Sequence, residues 1–461
     1  MVNSYICGQE VEATTAFKKY NPATGEVIAE VGKCGVTEGC KAVDAARAAF
    51  PLWSKVSPVK RGQMLFDLCR LLRTEGKDIC DTICLETGKS YDDAYAELQS
   101  AILLGQFFAG EGQRLYGRTT TSAADRWAMT IRQPYGVAAL ITAWNMPLAN
   151  IAWKIFPALI CGNTVVLKPS EYVPLTADIF TSLAHRLAFP KGTINVLQGC
   201  VEAGESIVFH HEVDVVSFTG SAGVGTCIGK ECASRNIKCS LEMGGKNAFV
   251  VCDDADFDSA VDWAVKSAFS LAGQRCASAS RIIVFNGIYD RFKDALVKAT
   301  PRMVQPVISE TQLDKILNIV SHDVDFGAKL LIGGHRMKDD AHRKGYYLAP
   351  TLIENATPQI TRTELFGPVA TLHRVTSLGE AIELVNESEY GLTACIHTRD
   401  IGNIRSFVKR VKAGVVSVNM GTYGSEPHMP FGGLGKSGNG TREPGLEALD
   451  VYSYIKTVYI A

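Results

Sequence analysis

Residues 136–167 read GVAALITAWNMPLANIAWKIFPALICGNTVVL. The run is long enough to cross a bilayer as a helix, which needs about 20 apolar residues. It is interrupted, however, by Asn145, Pro147, Asn150, Lys154 and Pro157. In hydrocarbon each such polar group would cost several kcal/mol. A buried strand, a loop, a buried helix and a second buried strand accommodate the same residues inside a protein.

The same division recurs along the chain. Residues 136–143 form the first strand, Pro147 opens a helix that ends near Gly162, and Thr164–Lys168 is the second strand. A helix over 174–187, strands over 193–197 and 213–219, and a helix over 226–234 continue the alternation. It resumes with a strand at Asn247–Val251. Phe257, Ala260, Val261, Ala264, Val265 and Ala268 then recur at helical spacing, and 281–285 and 415–419 are further strands. Strands alternating with helices build mostly parallel sheets covered on both faces. The 461 residues fill two or three domains. The predicted fold class is therefore α/β, with two doubly wound parallel-sheet domains. Residues 40–115 read as helices, while the Thr-rich segment 117–134 and the tail YSYIKTVYI read as strands at an interface.

A net charge of −1 favours neither nucleic acid nor an anionic membrane as a partner. The chain opens MVNSYICGQE, with no charged-then-apolar leader, and its 14 cysteines suit a reducing compartment, so a cytoplasmic setting is expected. No C-x-x-C pair or H-E-x-x-H occurs. Cys80 and Cys84 lie one helical turn apart, and His210 and His211 are adjacent, so their side chains would diverge on a helix or strand. No metal site is expected.

Five short motifs carry chemistry. GSAGVG follows the strand at 213–219 and supplies Gly220, Ser221, Gly223 and Gly225. A glycine-rich turn at a helix start offers backbone N–H groups to an anion, or simply lets helix and strand pack closely. LKPSE brings Lys168, Ser170 and Glu171 to a strand's carboxyl end, where they can grip ribose hydroxyls or form a solvated charge pair. AWNMP places Asn145 between a strand and a proline-led helix, as a hydrogen-bond donor into a pocket or as that helix's cap. LEMGGKN sets Glu242 in an apolar run. Its carboxylate is paired with a cation, bonded to backbone amides, or desolvated with a raised pKa, as suits a general base. GQRC exposes one thiol, Cys276, in a glycine-led cationic turn, where backbone amides or Arg275 can lower its pKa.

Together with ELFGPV (364–369), NESEYGL (386–392) and MPFGGLGKSG (429–438), these motifs resemble the aldehyde dehydrogenase superfamily nearly end to end, from YNPATGEVIAEV to YIKTVYI. The resemblance implies a dinucleotide-binding domain over 1–116 and 135–243, a catalytic domain over 244–435, and a small β oligomerisation element from 117–134 and 436–461. It implies Cys276 as nucleophile, Asn145 and the Cys276 backbone N–H as oxyanion donors, and Glu242 as the base that hydrolyses the thioester. It further implies NAD, or NADP, held by Lys168, Ser170 and Glu171 at the adenosine ribose, and by Gly220, Ser221 and Gly225 at the pyrophosphate. Glu364 would hold the nicotinamide ribose, with Phe366 and Trp144 beside the cofactor. Glu171 would repel a 2′-phosphate and favours NAD. Glu242 speaks against transfer of the acyl group to coenzyme A. The intact Cys276, Asn145 and Glu242 speak against an inactive relative with a structural or binding role. The tail from Ser437 and the Arg275 before the nucleophile resemble branches that oxidise short anionic semialdehydes; aromatic and simple aliphatic aldehydes are the alternative. A homodimer or homotetramer is expected.

Overall fold

The computed structural model describes residues 1–300 and 304–461. The first sheet has seven strands in the order Lys238–Met243, Val215–Gly220, Val137–Ile141, Thr164–Lys168, Ile194–Val196, Ser4–Ile6 and Gln9–Val11. Its first five strands are parallel, and the two N-terminal ones add antiparallel. A parallel strand is buried on both faces, which is why VAALI and TVVLK read as unbroken apolar runs. Alternate residues serve two cores. Ala138, Leu140, Val165 and Leu167 pack under the helices Pro58–Thr74, Tyr91–Glu111, Pro147–Cys161 and Pro174–His185. Val137, Ala139 and Val166 pack under Val36–Trp53, Val201–Val208 and Ala222–Ser234.

The second sheet runs Lys329–Ile332, Thr351–Glu354, Val369–Val375, Ala279–Phe285, Asn247–Val251, Thr393–His397 and Val415–Val418. All its pairs are parallel except the first. A third, small sheet pairs the tail Ser453–Ile460 antiparallel with Trp127–Pro134, from Ser453 opposite Pro134 to Ile460 opposite Trp127, with Thr119–Thr120 at its far edge. Just before that tail, the chain docks on the first domain. Glu443 pairs with Lys154 at 2.8 Å, and the Asn163 amide donates to the Tyr452 carbonyl at 2.8 Å.

Two doubly wound parallel domains therefore form as the alternation predicts. Among the described residues no helix is long and apolar enough to cross a membrane. Two local readings change, and one run left without an element becomes a strand. The helix after GSAGVG begins at Ala222 rather than 226, so Gly223 and Gly225 lie inside its first turns. The apolar run holding Glu242 is a strand, Lys238–Met243. His210 and His211 sit in a loop, not on a regular element, so their rings stack 4.8 Å apart instead of diverging.

The site follows from the strand order. Val137–Ile141 and Val215–Gly220 are neighbours, but the chain leaves them to opposite sides of the sheet. Open α/β sheets bind ligands in the crevice at such a switch point. The loop after the first strand carries Asn145, and Ser221 comes directly after the second.

Candidate active site

Cys276 lies in the connection that enters the strand Ala279–Phe285 of the second sheet. The path to it is unusual. Leu271, Ala272 and Gly273 have φ of 54°, 53° and 65°, three left-handed residues in succession. For a residue with a side chain such backbone costs about 1–3 kcal/mol and persists only when its surroundings hold it. The clamps are visible. The buried Gln274 amide donates to the carbonyls of Leu271 and Pro306 and accepts from the Ile308 N–H. The Asn247 amide donates to the carbonyls of Cys276 (2.7 Å) and Ser278 (2.9 Å), and the Thr422 hydroxyl donates to the Ala277 carbonyl at 2.6 Å.

The Cys276 side chain opens into a cavity of about 450 Å³ whose wall also includes Trp144, Asn145, Gly220, Ser221, Glu242, Glu364 and Phe366. Residues from both sheets thus converge on one space. A groove of similar size, about 460 Å³ and walled by Glu354, His373, Arg374 and Glu380, contains no comparable nucleophile.

Glu242 is 4% exposed, and neither carboxylate oxygen has a hydrogen-bond partner. Burial and the nearby Glu443 carboxylate raise its pKa well above the usual carboxylate range; Lys154 and Arg442 oppose this. Of the three alternatives open at the sequence level, the geometry selects the desolvated acid. An unpartnered buried carboxylate facing a cavity is costly, and such groups cluster where chemistry needs them. The Lys154–Glu443 pair behind it is fully buried. Glu443 also accepts from Ser217 at 2.7 Å and Ser240 at 3.1 Å.

Asn145 is not the helix cap. The cap position of Pro147–Cys161 is Met146, which makes no side-chain cap bond. The free amides of Leu148 and Ala149 instead donate to the carboxylate of Glu97, from a different helix and itself ion-paired with Lys89. Asn145 is left to face the cavity.

Cys276 differs from the expectation. Burial, Glu364 and Glu242 push its thiol up to about 12, while the Ala277 and Cys276 N–H groups pull only weakly the other way. Arg275 does not help. Its guanidinium lies over the Tyr423 ring at 4.3 Å and donates to the Ser270 hydroxyl at 3.0 Å.

The remaining predicted residues divide. Glu364 is pushed up to about 7 by burial, against the Gly245 N–H, Lys246 and Lys315. Its carboxylate approaches so closely that a Cβ on Gly244 would collide with it, and it accepts from the Gly245 N–H at 2.9 Å. The Trp144 and Phe366 rings meet edge to face at 5.2 Å. Ser221 caps the helix Ala222–Ser234, whose N-terminus points at the crevice. Lys168, Ser170 and Glu171 stand outside the cavity wall, at the end of the next strand. Lys168 and Ser170 each reach Glu171 at 3.4 Å. Gly225 is a packing glycine: a Cβ there would strike the Met243 sulfur and crowd Phe218. Some wall residues had no sequence signal of their own, among them Gln312 and Lys315. Lys154 and Glu443 were equally silent, although a lysine in the apolar run 136–167 demands a partner.

The comparisons with known proteins agree. Residues 9–458 match the profile described as the aldehyde dehydrogenase family. The chain is 35% identical to the alpha-ketoglutaric semialdehyde dehydrogenase of Bacillus subtilis (strain 168), over 99% of this chain and 97% of that one. It is 37% identical to retinal dehydrogenase 2 of Homo sapiens, over 98% and 90%. A crystal structure of betaine aldehyde dehydrogenase from Staphylococcus aureus in complex with NAD+ superposes with a TM-score of 0.96 at 34% identity, covering 100% of this chain and 95% of that one. With its two-sheet frame and its sequence both matching along nearly the whole length, the chain belongs to the aldehyde dehydrogenase family.

Proposed function

We propose that the protein oxidises an aldehyde to a carboxylic acid with NAD as its cofactor, and that Cys276, Asn145 and Glu242 do the chemistry. The observation that carries this reading is their convergence: a thiol, a primary amide and an unpartnered carboxylate share one cavity at the switch-point crevice. The Cys276 sulfur forms a bond to the carbonyl carbon, the carbonyl π pair moves onto oxygen, and the thiol proton leaves to a base. The high thiol pKa makes that proton removal necessary at neutral pH. That proton passes to solvent, which leaves the unpartnered Glu242 carboxylate available for the later step. The Asn145 amide and the Cys276 N–H hold the oxyanion, one such donor being worth about 2.7–4 kcal/mol. The nicotinamide cofactor, when bound, supplies the hydride acceptor. Glu242 then takes a proton from water as it attacks the resulting thioester. The C–S bond breaks, the acid leaves and the thiol is restored.

The residues fit a dinucleotide. Ser221 and its helix N-terminus offer N–H groups to a pyrophosphate, and Glu364 a carboxylate to ribose hydroxyls. Trp144 and Phe366 form an apolar wall. Glu171 would meet the adenosine ribose and disfavour a 2′-phosphate, and Lys168 beside it leaves NADP a weaker alternative.

For the aldehyde tail, the cavity wall favours an aromatic or aliphatic group. Trp153 and Phe431 pack edge to face at 5.4 Å beside Cys276. The anionic semialdehyde reading draws on the Bacillus subtilis relative, and it requires Arg275 to leave Tyr423. Relative kcat/KM for benzaldehyde, hexanal and succinic semialdehyde decides between them. The small sheet exposes Trp127, Ile455 and Tyr459 and is proposed as the face where copies of the chain meet; the fourteen free thiols suit the cytoplasm. Cys276→Ala tests the central assignment. Aldehyde-dependent reduction of NAD should vanish while NAD still binds, and turnover resembling that of the unaltered protein would refute it.

A further inference from the structure

An asparagine amide has a donor end and an acceptor end of nearly the same shape. An oxyanion donor must present the right one. Nothing in the Asn145 residue itself decides this, so the decision has to come from a neighbour.

The neighbour is Asn150, one turn into the helix Pro147–Cys161 and on the wall of the same cavity. Its amide nitrogen lies 3.3 Å from the Ala143 carbonyl oxygen and 3.2 Å from Asn145 Oδ1. A backbone carbonyl can only accept, so the Asn150 atom facing it must be Nδ2. That nitrogen has two hydrogens and no acceptor capacity. The Asn145 atom facing it must in turn be Oδ1. The Asn145 NH2 group is thereby directed away, into the cavity that Cys276 shares. The Ala143 carbonyl sets Asn150, and Asn150 sets Asn145. The helix backbone holds Asn150 in place, through its N–H to the Met146 carbonyl at 2.8 Å.

We propose that Asn150 is a positioning residue, which fixes the donor end of the Asn145 amide toward the reacting carbonyl oxygen. This rests on the reading of Asn145 as an oxyanion donor. An aspartate at 150 has the same shape but nothing to donate. The Asn145 amide would then rotate by half a turn, give its N–H to the new carboxylate, and aim Oδ1 at the developing oxyanion. A leucine would simply release the amide to rotate.

Two reactions of Cys276 separate this role from a general structural one. p-Nitrophenyl acetate acylates a thiol through a tetrahedral oxyanion: the C–S bond forms, the ester C–O bond breaks and p-nitrophenolate leaves, with the thiol proton passing to solvent. Iodoacetamide alkylates the same sulfur by displacing iodide from a saturated carbon, with no oxyanion. Neither requires the natural aldehyde to be known. In the full-length protein, N150D should slow acylation about 100-fold, the loss typical of one oxyanion donor. N150L should slow it about tenfold, a fraction of that effect because the freed amide still samples the donor orientation. Alkylation should stay within about twofold of the unaltered protein for N150L, which brings no charge to the cavity. The double variant N145A/N150D should acylate no more slowly than N145A alone, because residues acting through one group are not additive. Unchanged acylation in N150D, parallel losses in acylation and alkylation in N150L, or additive losses in the double variant would each overturn the proposal. If N145A itself acylates at the unaltered rate, the oxyanion reading of Asn145 fails first, and the positioning role with it.

Discussion

Glu242 stands between two opposite charges, and removing either one tests whether its titration controls the reaction. Glu443 raises the Glu242 pKa and Lys154 lowers it. E443Q deletes the repelling carboxylate and leaves the ammonium, so the Glu242 pKa should fall. K154M deletes the ammonium and leaves the carboxylate, so it should rise. Glu242 works as a base only when ionised. The acid limb of the pH–rate profile should therefore move to lower pH in E443Q and to higher pH in K154M. Stability supplies the magnitude. Lys154 and Glu443 are both fully buried and 2.8 Å apart, with Ser217 bonded to each. Breaking such a pair from one side leaves an uncompensated charge and typically costs about 3–5 kcal/mol. The double variant K154M/E443Q leaves no such charge, so its urea midpoint should fall by less than the sum of the two single shifts. Midpoints are compared at one protein concentration, since assembly would shift them. Acid limbs that move in the same direction in both single variants would refute the electrostatic account.

E242Q should slow thioester hydrolysis more than hydride transfer. Rapid mixing would then show a burst of reduced cofactor close to one equivalent per Cys276, and equal loss in both phases would remove Glu242 from deacylation. G244A puts a Cβ into the Glu364 carboxylate. Overpacking of this kind costs about 1–3 kcal/mol, and the KM for NAD should rise about tenfold or more, read from initial rates at saturating aldehyde. Burial holds His397 at about 4 against the Met420 carbonyl, and burial, then Arg281 and Lys246, hold His373 at about 4. Each is neutral in the folded protein where the unfolded chain already binds a proton. Each therefore contributes stability that is present above pH 6.5 and lost as the pH falls toward 4. Glu86 and Glu364, both raised to about 7, act in the opposite sense. The difference between the unaltered protein and H397Q carries the signal: its urea midpoint gap should shrink steadily from about pH 6.5 to about pH 4.5.

The frame was legible because parallel strands must be apolar on both faces. TVVLK and NAFVV could be placed to the residue. The helix over Ala222–Ser234 was set four residues late because glycines suggest turns, whereas Gly225 is there to let the helix approach Met243 and Phe218. Cys276 and Glu242 could be singled out from their neighbours, but their protonation could not. The expected cation, Arg275, stacks on an aromatic ring instead, and the groups that act on the thiol are carboxylates more than 30 residues away in sequence. Asn145 was legible as a polar residue after a buried strand. Its orientation depends on Asn150, which looked like one more interruption of an apolar run.

Glu443 shows why sequence distance hides part of such a site. It lies 289 residues after Lys154, and alone it is an ordinary glutamate in a polar tail. Its place is dictated by the first domain: a lysine on a helix buried against the sheet needs a counter-charge that the helix cannot supply, because the surrounding positions are Ala152, Ile155, Phe156 and Ala158. The chain therefore returns after the second domain, lays Ser437 to Glu443 along the strand Lys238–Met243, and joins Glu242 to Gly438 and the Met243 N–H to the Ser437 carbonyl. That return stroke sets one carboxylate close enough to disfavour the ionisation of another. The strand that carries Glu242 and the segment that tunes it are thus locked in register by backbone hydrogen bonds. A shift of that register would leave Lys154 unpaired and Glu242 without its electrostatic partner at the same time, which couples integrity of the fold to the ionisation of Glu242.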